Sequence, residues 1–595
     1  MKARLVVAAV CAAALVGCAG APKSVSAPPT LPQAQLDQVK TLLGSGSYLQ
    51  ALAEIDALRR AKPDAPDMDS LNKQALDALA QGFTASVTKK DFAAGLRLLD
   101  SARALGKADI AGSWTEKALL QQIASAQAAS GDKVLELLTR LRIVGLSDAA
   151  ESDFTEAASA AAAIGNRAVI GPIVTAMKAH GFAVPADLAA ANDAAAQTPT
   201  FPAMISGTVT IVVDRGIKVE KGVGYPDRVI GSGFFIDKRG YILTNHHVVE
   251  SEVDPKYEGY SRMYVRLSNS PVGERIPAKV VGYDSTFDLA LIKAEITPSY
   301  TFGNFGGETM APGERVFAIG SPAGLEETLT SGIISATGRR LLQVGDSVQV
   351  DVPLNPGNSG GPLLNEHGDV IGIVFAGIQQ FAGLNFAIPF TWVQKTLPQL
   401  YKGGQAVHPW LGMAVVETEK GLEVVYTVPD EPAAQAGIAV GDIIESVNGS
   451  AYAKLADIQS AVLDHEAQTL VTVGVRRGEE RFTAMVCLNQ RPDQPIEVAL
   501  KRDTRDNVVY PLFGMQLENV GSFLWKGDYI VKRVTRGSIA DESGISQDDP
   551  LTVQDWIVDT DKGYAAMQVV IKKKRAGFVE SAIQIAAYLE TDNFI

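Results

Sequence analysis

The spacing of apolar and polar positions changes several times along the chain. An apolar run from Leu5 to Val16 follows Lys2 and Arg4; it is too short to cross a bilayer and has the charged start of a secretory signal. Ala, Pro and Ser then dominate to about Gln35, which reads as a tether over 18–35. From 36 to 195 the period becomes helical. In Tyr48 to Leu58 the residues Leu52, Ile55 and Leu58 fall on one face. Related patterns begin at Phe92, at Val134 and faintly at Val169, roughly 40 residues apart, as in stacked helical hairpins. This predicts an α-helical repeat domain, either an irregular bundle or a platform for a protein partner.

A second tether, Ala194 to Pro202, closes the helical region, and from Met204 to about Pro389 short Val and Ile runs alternate with Gly, Pro and Asp. That pattern predicts antiparallel β-structure over 203–395, with a helix near Trp392 to Tyr401. A Gly-containing linker leads to two further stretches, 408–490 and 508–595. Leu512-Phe513-Gly514-Met515 and Gly537 to Ile545 in the second echo Trp410 to Met413 and Glu431 to Ile438 in the first.

The chemistry concentrates around Leu354-Asn355-Pro356-Gly357-Asn358-Ser359-Gly360-Gly361-Pro362. A serine among glycines has an unobstructed hydroxyl, and such a turn can aim several N–H groups at one point, as acyl transfer requires. A serine nucleophile needs an imidazole base oriented by a carboxylate. Of the six histidines, His247 lies where an apolar strand pattern runs into Thr244-Asn245-His246-His247. An extended backbone would turn His246 the opposite way. Asp288, before the run Leu289 to Ile292, is the carboxylate candidate, with Asp284 as the compositional alternative.

Thr244-Asn245-His246-His247-Val248, Asp288-Leu289-Ala290-Leu291 and Gly357-Asn358-Ser359-Gly360-Gly361-Pro362 resemble the three triad motifs of HtrA/Deg proteases, in the chymotrypsin-like order His, Asp, Ser. The resemblance implies a double β-barrel with catalytic His247, Asp288 and Ser359, and an oxyanion hole at Gly357 and Ser359. Pro353 and Leu354 match positions that shape the specificity pocket; neither is acidic, so cleavage after small or medium apolar residues is expected. Ser321 to Leu325, Thr330 to Ser335 and Gly383 to Pro389 resemble strand and pocket-wall segments of the family. Asn358 stands where trypsin-like zymogens carry an acid, which implies activation by loop rearrangement, with Val213 to Val229 as the expected mobile loop.

Residues 408–490 resemble a bacterial PDZ domain, with Trp410, Leu411, Gly412 and Met413 as the loop that holds a peptide carboxylate. Residues 508–595 resemble a divergent second copy, in which Asp548-Asp549-Pro550-Leu551 replaces the Gly-Asp turn. The helical region resembles degenerate tetratricopeptide repeats. Leu15-Val16-Gly17-Cys18 resembles a lipobox, so 1–17 would be a lipoprotein signal peptide and Cys18 a lipidated anchor on the periplasmic side of a bacterial envelope, with the outer membrane the expected destination.

With Cys11 removed and Cys18 modified, Cys487 has no partner for a disulfide. The formal net charge of -13 argues against nucleic acid as a partner. His408 and His465 read as surface or packing residues, and Lys572 to Arg575 as a solvated hairpin end. No metal or cofactor is expected. The sequence thus predicts a membrane-tethered serine endopeptidase acting on unfolded or misfolded envelope proteins, regulated by peptide C-termini at the first PDZ domain and trimeric by resemblance. The competing class is a catalytically silent or chaperone-like scaffold that binds clients through its repeats and PDZ domains.

Overall fold

The computed structural model describes residues 33–595 apart from 64–66, 167–168, 196–199, 269–270, 272–273, 304–309, 322–327, 378–383, 522–527, 561 and 575–577. The signal peptide, Cys18 and most of the first tether therefore lie outside the described residues, as do 322–325 and Gly383 of the pocket-wall segments.

Between Gln33–Gly44 and Ala186–Ala195 each α-helix packs on the next in sequence. Local chemistry sets their ends. Asp91 accepts the Ala94 N–H at 3.0 Å and Thr115 Oγ1 that of Ala118 at 3.1 Å, while Gly131 and Gly165 end helices in the left-handed conformation. Ile55 and Leu58 pack on Val39 and Leu71. Other faces of these helices are covered by the rest of the chain. Leu98, Leu99 and Leu119 pack against Leu470 and Cys487 of the first C-terminal domain, and Val134 joins the central β core. Arg239 Nη1 reaches Asp132 Oδ1 at 2.8 Å. Much of the expected docking platform is thus a brace between two domains.

The β region forms two closed units. The first sheet runs in the order 404–405, 276–284, 262–267, 208–220, 223–237, 241–244 and 289–294, and a pairing of Ile276–Asp284 with Leu289–Ala294 closes it. The second is a closed six-stranded barrel from Arg315–Gly320 to Asn385–Pro389. Phe234, Leu243 and Phe287 from the first meet Ile319, Leu364 and Ile388 from the second in one core, and burial of each such side chain contributes about 1.5–3 kcal/mol.

Several local expectations need correcting. Val213 to Val229 is not a loop: Thr208–Glu220 and Val223–Asp237 form a continuous hairpin turning at Lys221-Gly222, with Ile217 and Val219 exposed. Phe201 and Pro202, read as tether, start a helix that ends at Ser206. The Gly linker adds Gly404–Gln405 as a parallel edge strand beside Gly282 and Tyr283, and the preceding helix spans Phe390–Lys402.

The two C-terminal domains share a core. Trp410, Val425 and Tyr426 pack with Phe513, Met515, Val531 and Phe594, and Arg533 pairs with the buried Glu423 across the contact, Nη2 to Oε2 at 2.6 Å. Cys487 is a buried free thiol whose pKa burial pushes up to about 12, so it stays a neutral packing group.

Candidate active site

The barrel junction brings three chain segments together. His247 follows strand Tyr241–Thr244 in a four-residue helix, His246–Val249. Because this turn is helical and not extended, His246 swings aside to stack on Tyr283, ring centroids 5.2 Å apart. His247 Nδ1 lies 2.7 Å from Asp288 Oδ2, and its backbone N–H donates to Oδ1 at 2.8 Å. Asp288 holds a left-handed backbone, φ +53°, a conformation that costs a non-glycine residue about 1–2 kcal/mol. Its carbonyl accepts from His246 N–H at 3.1 Å and Asn245 Nδ2 at 2.8 Å, which fixes the strained residue from both ends.

Burial disfavours a charged His247 ring, but the hydrogen bond and charge of Asp288, joined by Glu250, outweigh it and raise the pKa above the ordinary value. Asp284 is occupied elsewhere. Its Oδ1 accepts the N–H groups of Thr286 and Phe287, and its Oδ2 meets His408 Nε2 at 2.8 Å. His408 is therefore a buried partner of that carboxylate at the junction with the first C-terminal domain. Arg491, lowered to about 10 by burial against the opposing charges of Asp284 and Asp493, lies near the same pair.

Ser359 is half-buried, and its Oγ donates to the Phe375 carbonyl at 3.4 Å; among the described residues it makes no hydrogen bond to His247. In the turn, Asn358 N–H donates to Asn355 O and Gly360 N–H to Val374 O. The N–H groups of Gly357 and Ser359 make no hydrogen bond among the described residues. Gly357 has φ +107°, and a Cβ on Gly360 would come within 2.1 Å of Ser232 O. Pro353 is exposed, and Leu354, half-buried, packs against the second barrel's core.

Sequence reading missed the groups that hold this turn. Ser232 N–H donates to Ser359 O at 2.7 Å, Ser232 Oγ donates to Gly357 O at 2.6 Å, and Thr244 Oγ1 donates to Ser232 O at 2.7 Å. Ser321 N–H donates to Ser232 Oγ at 2.9 Å and Thr210 Oγ1 to Ser321 Oγ at 2.6 Å. The available signal was Gly231-Ser232-Gly233, a serine between two glycines that let its strand lie close to a neighbour. Glu590, from the far end of the chain, was also missed; burial and then the charges of Asp288 and Glu250 raise its pKa.

In the first C-terminal domain, the N–H groups of Leu411, Gly412 and Met413 converge on the Ile595 main-chain oxygen at 3.2, 3.0 and 3.4 Å. A separate cleft of about 1080 Å³, bordered by Leu96, Leu138, Ile173, Pro398 and Leu463, includes none of His247, Asp288 or Ser359. Among the described residues no cluster of His, Cys, Asp or Glu is arranged to hold a metal ion.

Two joined β-barrels with this serine turn and an imidazole–carboxylate pair at their junction define a trypsin-like serine peptidase. Family comparisons agree. A trypsin-like peptidase domain matches residues 231–373, a PDZ domain 409–488, a TP0546 family PDZ domain 496–589, and a domain of unknown function 32–127. The DegP-like periplasmic serine endoprotease of Marinomonas sp. (strain MWYL1) is 33% identical over 54% of this chain and 70% of its own length. That of Pseudomonas savastanoi pv. phaseolicola is 32% identical over 60% of this chain and 78% of its own. The solved HtrA-type protease AlgW with decapeptide is 25% identical, covered over 97% of its length and 49% of this chain, at a TM-score of 0.42. The chain belongs to the HtrA/DegP family and is a serine endopeptidase with a trypsin-like domain, two PDZ domains and an N-terminal helical domain.

Proposed function

We propose that the chain hydrolyses peptide bonds through an acyl-enzyme on Ser359. His247 takes the hydroxyl proton as Oγ attacks the carbonyl, and Asp288 accepts from Nδ1–H, so that Nε2 is the base. The N–H groups of Gly357 and Ser359 receive the developing oxyanion; losing one such donor typically costs about 3 kcal/mol of transition-state stabilisation. Imidazolium then protonates the leaving amine, and water repeats the sequence to release the acid. The observation that carries this reading is the 2.7 Å pairing of His247 Nδ1 with Asp288 Oδ2, together with Gly357 and Ser359 amides that make no hydrogen bond among the described residues. Ser359 Oγ must leave the Phe375 carbonyl and reach His247 before attack.

With Pro353 and Leu354 before the turn and neither of them acidic, the pocket selects small or medium apolar residues, which unfolded proteins expose. The relatives' description as periplasmic endoproteases and the signal-like start support an envelope location, with Cys18 as the lipid anchor and the Trp410 to Met413 loop taking peptide C-termini. We infer a homo-oligomer built through the protease domain, clients that are unfolded envelope proteins, and a helical domain available to a protein partner only where it is not bracing the chain.

Casein cleavage by the soluble chain from Ala19 onward tests the mechanism. Ser359→Ala should lower turnover by about 10⁴-fold or more while leaving client binding intact. Equal activity in both forms would remove Ser359 as nucleophile, and no turnover in either form under any peptide would favour the scaffold reading. Strong cleavage after Lys or Arg in a peptide library would overturn the pocket assignment.

A further inference from the structure

The groove of the first PDZ domain lies between strand Met413–Thr418 and helix Leu455–Leu463, and residues of the same chain occupy it. Phe594 pairs antiparallel with Ala414. Ile595 N–H donates to Met413 O at 2.9 Å, Val415 N–H donates to Asn593 O at 2.9 Å, and three loop N–H groups meet the Ile595 oxygen. This is strand addition with Ile595 anchored at the loop, the arrangement by which such grooves hold peptides. The Ile595 side chain packs among Leu411, Met413, Ile458 and Val462 and is 4% exposed.

The segment is secured on both sides. Asp592 Oδ2 pairs with Arg340 Nε at 2.7 Å, and Asp592 O accepts from Arg340 Nη2 at 3.2 Å and Gln459 Nε2 at 3.1 Å. Gln459 Oε1 in turn accepts Gly345 N–H at 2.9 Å. Arg340 and Gly345 belong to the protease domain, Gln459 to the groove helix. Asn593 Nδ2 donates to the Pro511 carbonyl at 3.0 Å, which ties the segment to the second PDZ domain.

We propose that residues Asn593–Ile595 are the resident ligand of the first PDZ groove, and that a peptide from another chain enters only by displacing them. The proposal rests on the reading of Trp410 to Met413 as a carboxylate loop. The edge of Met413–Thr418 accepts one added strand, so the two occupants exclude each other. The resident segment also defines the side chains the groove takes: an aliphatic residue against the loop and an apolar or aromatic residue before it. A tethered ligand acts at an effective concentration of about 1 mM, so a peptide whose intrinsic Kd is about 10–100 μM would bind roughly 10- to 100-fold more weakly to the occupied groove.

The probe is the labelled peptide Thr-Asp-Asn-Phe-Ile with a free carboxylate, titrated by fluorescence anisotropy into the soluble chain from Ala19 and into its Ile595→Asp variant, both carrying Ser359→Ala. Ile595→Asp removes the buried aliphatic anchor and changes no residue of the loop. The expected result is at least tenfold tighter binding to the variant, with faster hydrogen exchange at the Val415 amide once its Asn593 acceptor departs. Equal affinity for both chains would overturn the resident-ligand proposal alone. Binding to neither would overturn the carboxylate-loop reading itself, and the proposal with it.

Discussion

The two PDZ domains carry the same Φ-Gly-Φ loop, Leu411-Gly412-Met413 and Leu512-Phe513-Gly514-Met515, yet build different things from it. Both loops are closed from behind in the same way: Val428 N–H donates to Gly412 O at 2.9 Å, and Thr535 N–H to Gly514 O at 2.7 Å. The difference lies in the elements on either side of each loop. Pro409–Trp410 arrives extended, paired with Asn489–Gln490, so the amides after it point outward. Gly514 instead caps helix Arg505–Phe513 in the left-handed conformation and spends its N–H on Tyr510 O. In the first domain helix Leu455–Leu463 forms the second wall of a groove. In the second, Pro550–Asp559 is followed by Tyr564–Lys574, with no helix among the described residues between them. A shared motif is therefore not a shared site; a peptide groove needs an outward loop and a helix wall together.

The comparison assigns the second domain to holding the fold, and the largest effect should come from breaking its core. Phe513 is fully buried and meets Trp556 edge-on, centroids 5.6 Å apart. Phe513→Ala should lower stability by about 3–5 kcal/mol, read by urea denaturation, and should increase capture of the labelled peptide by loosening the residues that present Asn593–Ile595. A loss below about 1 kcal/mol would mean that the second domain is no integral part of the core.

The paired glycines sharpen the contrast. Gly412 and Gly514 have φ of +79° and +75°, and an added Cβ would come within 2.5 Å of Glu431 Cβ and 2.2 Å of Ser538 Cβ. Alanine at either should cost about 1–2 kcal/mol or more. Only Gly412→Ala should also abolish peptide binding, measured in the Ile595→Asp background. Loss of binding in Gly514→Ala at retained stability would place a peptide site in the second domain after all.

The pH dependence separates fold from chemistry. Protonated His247 cannot take the Ser359 proton, so kcat/KM should fall as pH drops through its pKa. Since Asp288 and Glu250 raise that pKa against burial, the acid limb should lie above the ordinary histidine value of 6.5. Gly514→Ala should leave the limb where it is, because it touches no charge near the ring. A limb below the ordinary value would mean that burial outweighs the carboxylates.

Features written in short contiguous motifs were legible in the sequence, because each encodes a local turn with its own chemistry. Thr244 to Val248 and Gly357 to Pro362 belong to this kind, as do the PDZ loop and the helical periodicity of Leu52, Ile55 and Leu58. Contacts made across sequence distance were not. His408 looks like a surface histidine because nothing beside it reveals Asp284, which folding brings within 2.8 Å. The arm from Val213 to Val229 is expected as a loop from the comparison at Asn358, but its strands keep pairing through a register shift between Asp214 and Ile217. Asp592 to Ile595 has no pattern of its own. Its meaning comes wholly from the groove it enters, as the meaning of Ser232 comes from the turn it supports.

The smallest expected effect tests the link between groove and protease. Arg340 and Asp592 each keep 36% of their side-chain surface exposed, and an ion pair so open to water contributes no more than about 1 kcal/mol. If Arg340 only steadies the resident segment, Arg340→Ala should raise the apparent affinity of the labelled peptide by at most about fivefold, and high salt should reduce the difference between the two chains. The three backbone N–H groups on Ile595 are untouched by this change, so the increase should stay well below that of Ile595→Asp. An Arg340→Ala effect as large as that of Ile595→Asp would shift the hold on the segment from the PDZ loop to the protease, making the first PDZ domain's groove a surface whose occupancy the catalytic domain itself controls.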